Sequence, residues 1–196
     1  MTSLLNLSRA IDRLSEFVGR WVAWFVLAAV LISAVNAIVR KAFNTSSNAF
    51  LEIQWYLFSA IFLFCAGYTL LKNQHVRIDV IAGRLSKRAQ AWIDIMGTLL
   101  FLMPMAIVIM YLSWPVFVQA LQRGEVSTNA GGLIIWPARL MVPIGFLLLI
   151  LQGWSELIKR VAFLKGLIPD PSEKQGEKTA EETLAEEILK ARGEKV

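Results

Sequence analysis

The chain has 196 residues, of which 56% are hydrophobic and 18% charged, and its formal net charge is +5. This composition favours a small bundle of membrane helices over a single soluble domain. The single cysteine, Cys65, excludes an intramolecular disulfide, and the single histidine, His75, excludes a self-contained bis-His haem site. Of the 20 basic residues, 15 fall in the membrane part of the chain, so the basic charge does not indicate a nucleic-acid partner.

Residues 1–20 predict an amphipathic helix. Apolar side chains recur at helical spacing and the charged ones lie largely on the other side, the apolar set being Leu4, Leu7, Ile11, Leu14 and Val18. Such a helix is expected to lie along the membrane surface. A polar cytoplasmic lead-in with accidental periodicity is the alternative.

Four apolar runs predict membrane spans, at about residues 21–39, 53–71, 95–118 and 136–156. The first could also be the core of a signal peptide, although the long lead-in argues against it. It carries Asn36 on a face of small residues, which favours helix packing over ligand binding. The third charge-free run exceeds an upright span, and Pro104 predicts a kink in it.

The four spans belong to a predicted membrane domain that covers residues 21–168, and a separate tail follows it. Residues 78–94 repeat an amphipathic pattern and predict a second surface-lying helix, with a solvated connector as the alternative. Residues 169–196 form a charged tail that is either partly helical or disordered. We therefore predict an all-α membrane protein with four transmembrane helices plus surface-lying amphipathic helices.

The basic residues also predict the orientation of the chain. Sixteen Lys and Arg lie on the side of the two termini and four in the two opposite loops. By the positive-inside rule, both termini and the tail are expected to be cytoplasmic.

The sequence offers no catalytic constellation, because its Ser residues are scattered and neither Cys65 nor His75 has a suitable partner. We expect no enzyme activity, no cofactor and no metal site. All seven acidic residues before the tail lie at or beyond the ends of spans, and no broken helices occur in symmetric halves. An ion-coupled carrier usually needs such features within the membrane, so the chain is predicted to be a subunit without a substrate or sodium site of its own.

Four stretches resemble the small membrane subunit of tripartite ATP-independent periplasmic (TRAP) transporters, over about residues 4–165. They are Glu52-x-Gln-Trp-Tyr-Leu-Phe, Asn73-x-His-Val-Arg-Ile-Asp79, Gly124-Glu125-x-Ser127-x-Asn129-x-Gly131-Gly132-Leu133 followed by Trp136-Pro137, and Gln152-Gly153 with Glu156.

The resemblance implies a multi-pass protein of the bacterial inner membrane. Its partners would be a large, ion-coupled elevator subunit that carries the substrate and sodium sites, and a periplasmic binding protein that delivers an organic acid. The small subunit would enlarge the fixed scaffold. The finer pattern is closest to the branch associated with 2-oxo acids, lactate-like acids and the mannitol/chloroaromatic group.

Three sets of residues are candidates for structural or interface roles. His75, Arg77 and Asp79 are expected to fix a cytoplasmic corner through hydrogen bonds or an ion pair, with snorkelling and solvated charge as the alternative. Glu52 and Gln54, beside Trp55, are expected to pair with Arg40, Arg139 or a group of the partner chain, since an unpaired carboxylate near lipid is costly; interfacial exposure is the alternative. Buried faces supply the third set, Asn36, Gln152 and Glu156.

The loop after the third span is a candidate docking surface for the periplasmic binding protein, with a plain turn as the alternative. Its candidate residues are Gly124, Glu125, Ser127, Asn129, Gly131 and Gly132. The competing functional class is a freestanding four-helix membrane carrier or the membrane anchor of a redox complex. The single histidine counts against a haem anchor, and the lack of charge within the spans counts against a carrier.

Overall fold

The structure is a computed structural model that describes residues 1–44, 47–73, 85–169 and 171. In these ranges the chain folds into five α-helices: α1 Thr2–Phe43, α2 Asn48–Leu71, α3 Lys87–Gly97, α4 Met103–Arg123 and α5 Trp136–Leu164. A π-helical stretch, Thr98–Leu102, joins α3 to α4 and is called the π turn here. The joined unit has 37 residues. Together with α1, α2 and α5 it makes four helical units that are long and apolar enough to cross a membrane. The predicted all-α fold with four membrane helices is confirmed.

The helix ends follow local side-chain chemistry. The Ser47 side chain accepts a hydrogen bond from the Ala49 amide at 3.3 Å, which caps the start of α2. Ser86 caps α3 in the same way through the amide of Ala89, also at 3.3 Å. At its C-terminal end α4 stops at Gly124, whose φ of 59° lies in the left-handed region that glycine adopts without strain.

One continuous helix, α1, replaces the two elements expected over residues 1–20 and 21–39. It has 42 residues, a length of about 63 Å at 1.5 Å per residue, which is about twice the thickness of a bilayer core. The change from an amphipathic to an apolar pattern near Trp21 therefore marks a change of surroundings, not a break in the helix. That residues 1–20 lie along a membrane surface stays a prediction.

The described part of the connector predicted over residues 78–94 is not a separate helix. From Lys87 onward it is the beginning of the third helical unit, and Ala91 in this part is completely buried. Residues 78–84 lie outside the described residues. Both α2 and α5 exceed the predicted spans, because α2 begins at Asn48 and α5 continues to Leu164.

The π turn lies directly before Pro104, where a kink was predicted. The Met103 amide donates to the carbonyl of Thr98, five residues earlier, instead of to the usual i−4 carbonyl. In a regular α-helix the ring of Pro104 would clash with the carbonyl of Leu100. A wider turn at this point relieves that clash, so the local response to the proline is a π-helical turn.

The helices contact one another in the order α1, α2, α5, α4, and α1 also reaches α5. In the centre, α2 and α5 run in the same direction, since Leu63 faces Gly145 and Gly67 faces Leu148. Small residues permit this close approach of two backbones. The main apolar core lies between the third helical unit and α5, and is formed by Ile95, Met103, Ala106, Leu149, Ile150 and Leu157.

Candidate functional site

Two polar clusters lie at opposite ends of the helix bundle. The first, which we call the loop-end cluster, consists of Glu52, Ser127, Asn129 and the backbone amide of Leu133. Glu52 is only 3% exposed. Its carboxylate accepts hydrogen bonds from the Ser127 hydroxyl, from Asn129 Nδ2 at 2.8 Å and from the Leu133 amide at 2.6 Å. A single carboxylate on α2 therefore organises the loop between α4 and α5.

The backbone of this loop is closed as a tight hairpin. The Ser127 amide donates to the Leu133 carbonyl at 2.9 Å, and the Ile135 amide donates to the Glu125 carbonyl at 3.0 Å. At Gly132 an added Cβ would lie 2.5 Å from the Cβ of Ser127, so a larger residue would push that side chain out of place. Gly131 has a φ of 72°, which also requires glycine-like freedom.

The pairing of Glu52 with Arg40 or Arg139, expected from the sequence, does not form. Arg139 binds Glu125 instead, at 2.6 Å, and Glu52 is satisfied by neutral donors. Hydrogen bonds of this kind to a carboxylate are charge-assisted and can replace a cationic partner.

The side chains beside Glu52 have different environments. Gln54 has a buried Nε2 atom without a hydrogen-bond partner among the described residues. Trp55 is 60% exposed and faces outward. Two contacts that the sequence analysis missed also attach α2 to the loop: Tyr56 Oη donates to the Ile134 carbonyl at 3.0 Å, and Asn48 Nδ2 donates to the Ala130 carbonyl at 3.1 Å.

Most of the polar groups proposed for docking are engaged within the chain. Ser127 and Asn129 are directed at Glu52, and Glu125 binds Arg139. Two apolar side chains of the loop are also exposed: Val126 and Ile134, which face each other across an isolated antiparallel bridge, are 55% and 51% exposed. Docking of a binding protein here stays a prediction.

The second cluster, the termini-end cluster, joins the N-terminal part of α1 to the C-terminal part of α5. Its members are Ser8, Asp12, Ser15, Gln152, Ser155, Glu156 and Lys159. On each helix these residues follow i, i+3/i+4, i+7 spacing and so share one face. The sequence analysis named Gln152 and Glu156 on this face; it missed the partners on α1, which the same spacing could have revealed.

Gln152 is the centre of this cluster and is completely buried. Its Oε1 accepts from the Ser15 hydroxyl at 2.7 Å, while its Nε2 donates to Asp12 at 2.9 Å and to Glu156 at 3.1 Å. One buried amide thus uses its acceptor and one donor bond across the interface with α1 and a second donor bond within α5, which satisfies its polar atoms.

Lys159 supplies the positive charge of the cluster. Its Nζ lies 3.2 Å from Asp12 Oδ2 and 2.5 Å from Glu156 Oε1. The Ser155 hydroxyl donates to Asp12 at 2.7 Å and lies 2.7 Å from the Ser8 hydroxyl. Two carboxylates, one ammonium group and four neutral polar side chains therefore form one connected network.

Two ion pairs flank the termini-end cluster. Lys72, just after α2, binds Glu16 of α1 at 3.1 Å, and Arg160 of α5 binds Asp94 of α3 at 3.0 Å. The Arg160 side chain is only 7% exposed. All four helical units are therefore attached to one another at this end.

Among the described residues, Asn36 joins neither cluster. Asn36 is buried within α1, at 9% exposure, as helix packing requires. His75, Arg77 and Asp79 lie outside the described residues, so the predicted corner stays a prediction.

Within the described ranges, the groove between α4 and α5 is unsuited to a polar solute. Among the described residues no three His, Cys, Asp or Glu side chains are grouped so that they could hold a metal ion. A groove of about 650 Å³ lies between α4 and α5, and its lining is almost entirely apolar, with Met110, Pro115, Pro143 and Leu147 among its residues. A carboxylate would lose its hydration there without finding a charged partner.

Comparison with known families gives one match. The family model for tripartite ATP-independent periplasmic transporters, DctQ component, matches residues 29–163. This range contains the whole loop-end cluster and all of the α5 side of the termini-end cluster. No curated protein and no solved structure matches the chain.

Proposed function

The chain belongs to the DctQ-component family of tripartite ATP-independent periplasmic transporters, and we propose that within such a transporter it is a static scaffold. In this proposal it pairs with a large, ion-coupled elevator subunit in the bacterial inner membrane, with both termini in the cytoplasm. A periplasmic binding protein delivers the organic acid, of the 2-oxo or related carboxylic class, and the large subunit carries the substrate and sodium sites.

The observation that carries the scaffold role is the placement of the polar contacts. Among the described residues every ion pair lies at one of the two ends of the bundle. Buried, mutually satisfied polar groups between helices oppose sliding, because any displacement leaves a donor or a charge without its partner.

The part of the bundle between the clusters also favours a fixed arrangement. There α2 and α5 meet through Gly67 and Gly145, and an added Cβ at Gly145 would lie 3.0 Å from the Leu63 carbonyl oxygen. Backbones packed this closely have few alternative registers. An elevator needs such a frame, against which its transport domain moves.

A cross-link between α1 and α5 tests the proposal directly. The Ser8 and Ser155 hydroxyls lie 2.7 Å apart, so cysteines at these two positions are close enough for a disulfide. In a Cys65→Ser background, S8C/S155C is co-expressed with the large membrane chain, purified as a complex and reconstituted into vesicles with the binding protein, and uptake of a panel of organic acids is measured before and after oxidation.

We expect the tagged chain to purify with one large hydrophobic chain in a one-to-one complex, and uptake to stay within about twofold of the reduced value after cross-linking. The single variants S8C and S155C are the controls for oxidation itself. If cross-linking stops uptake and a reductant restores it, the frame must move and the static role is wrong. If the chain alone forms a homo-oligomer that transports solute, it is a carrier and not a scaffold.

A further inference from the structure

The N-terminal part of α1, residues 2–21, buries its polar face and exposes an apolar one. The face against α5 contains Ser8, Asp12 and Ser15, of which both serines are buried. The outward stripe of Leu7, Leu14, Phe17 and Trp21 is 41–59% exposed. In water this arrangement would be unfavourable, so its outward face is built for apolar surroundings.

A basic row lies beside this stripe. At about 100° per residue, Arg9, Arg13 and Arg20 occupy an arc of roughly 40° that adjoins the arc of the apolar stripe and lies away from the contact with α5. All three arginines are exposed. Among the described residues neither Arg13 nor Arg20 has an ion-pair partner, and Arg9 bonds only to neutral oxygens of Leu5 and Asn6.

The course of α1 across α5 gives this surface its orientation. Ser8 and Ser15 are about 10 Å apart along α1, yet they contact Ser155 and Gln152, which are about 4.5 Å apart along α5. Contacts with such unequal spacing indicate that the two helices cross at an angle. Since α5 is long and apolar enough to cross a membrane, we expect this part of α1 to incline toward the membrane plane, with the apolar stripe and the basic row both running along it.

We propose that residues 2–21 form a binding surface for anionic phospholipid. The apolar stripe enters the acyl region, and the positive charges of Arg9, Arg13 and Arg20 attract headgroup phosphates. An anionic leaflet supplies hydrocarbon and negative charge side by side, in the order in which this helix presents its two stripes. The inference requires that the chain is in a membrane, and it does not depend on the scaffold role.

The test compares two triple variants of the full chain in mild detergent. R9Q/R13Q/R20Q removes the basic row, and R9K/R13K/R20K keeps its charge. Binding of phosphatidylglycerol and of phosphatidylcholine is titrated by native mass spectrometry, with Arg123→Gln, at the opposite end of the bundle, as the matched control. We expect the glutamine variant to lose at least about tenfold in phosphatidylglycerol affinity, since each basic residue near an anionic surface contributes severalfold.

The lysine variant and Arg123→Gln should stay within about threefold of the wild type, and phosphatidylcholine binding should change little in all of them. Unchanged phosphatidylglycerol affinity in the glutamine variant would overturn the proposal. An equal loss in the lysine variant would also overturn it, because leaflet attraction depends on charge.

Two further variants, Leu14→Asn and Phe17→Asn, test the apolar stripe. If these changes separate the chain from its large membrane partner while lipid affinity is kept, a protein helix covers the stripe and the lipid proposal is wrong.

Discussion

Both polar clusters keep carboxylates at an end of the helix bundle supplied with partners, but they do so with different chemistry. At the loop end one nearly buried carboxylate, Glu52, is satisfied by three neutral donors from a single loop. The termini-end cluster instead shares Lys159 between two carboxylates and adds an amide and three hydroxyls from two helices. A carboxylate held by backbone and side-chain dipoles depends on one exact loop conformation, whereas a network with several acceptors can form new pairs when one member is lost. We therefore expect the loop end to be sensitive to single changes and the termini end to tolerate them.

The largest effect is expected from Glu52→Gln. An amide keeps one acceptor but presents its own N–H₂ to donors, so at least one of Ser127, Asn129 and Leu133 loses its hydrogen-bond partner beside the buried side chain of residue 52. The folded-to-unfolded ratio should fall about 100-fold, as measured by detergent-denaturant unfolding of the purified chain. Glu125→Gln, which breaks the more exposed pair with Arg139, is the control. A loss no greater than that of the control would mean that the loop does not depend on Glu52.

Removing the cation of the termini-end cluster should have the next largest effect. Lys159→Met leaves the carboxylates of Asp12 and Glu156 without their ammonium group, which should lower the free energy of unfolding by about 2 kcal/mol. The double variant D12N/K159M should regain about half of that loss, and Asp12→Asn alone should cost less than about 1 kcal/mol because Lys159 keeps Glu156. Strictly additive losses in this cycle would show that the cluster has no redundancy.

A methyl group added within the loop end gives a smaller change. Gly132→Ala places a Cβ against Ser127 and should cost about 1–2 kcal/mol in unfolding free energy. Gly97→Ala is the matched control, because no atom lies within 4 Å of its added Cβ. In a helix interior that change should stabilise the chain by about 0.5–1 kcal/mol. Equal effects of the two substitutions would argue against tight packing of the loop.

The smallest effect is expected from Glu16→Gln. This residue binds Lys72 at 3.1 Å, but both side chains are at least 40% exposed. Exposed pairs contribute about 0.5 kcal/mol and less in salt, so unfolding in 0.5 M NaCl should barely distinguish the variant from the wild type. A loss comparable with that of Lys159→Met would place Glu16 inside the network and not at its edge.

The number and type of the membrane helices could be predicted from sequence, because an apolar run of span length has few other uses. The residues at which these helices begin and end could not be predicted. Residues 1–20 and 87–94 carry amphipathic patterns that indicate surroundings, and the helix simply continues through the change, as α1 and α3 show. Length and periodicity report what a helix faces more reliably than where it begins.

The clusters could be predicted only in part, for a physical reason. Glu52 was recognised as a carboxylate that needs partners, but its donors are 75 to 81 residues away in a loop whose fold depends on glycine conformations. Gln152 and Glu156 were recognised by their shared face. Asp12 lies in an amphipathic segment, where an ionised residue is usually exposed, and only the crossing of α1 over α5 places it inside.

The π turn has a consequence for the angular phase of the third helical unit. Along an uninterrupted α-helix the buried residues before it, Ala91 and Ile95, would point roughly 70–80° away on average from the buried Met103 and Ala106 after it, at about 100° per residue. A π turn contains in effect one extra residue, which rotates everything beyond it back by about that amount. The third helical unit thus keeps one face toward α5 along its whole length, from the Asp94 ion pair to the apolar core. A deletion of one residue here would turn one half of that face toward lipid.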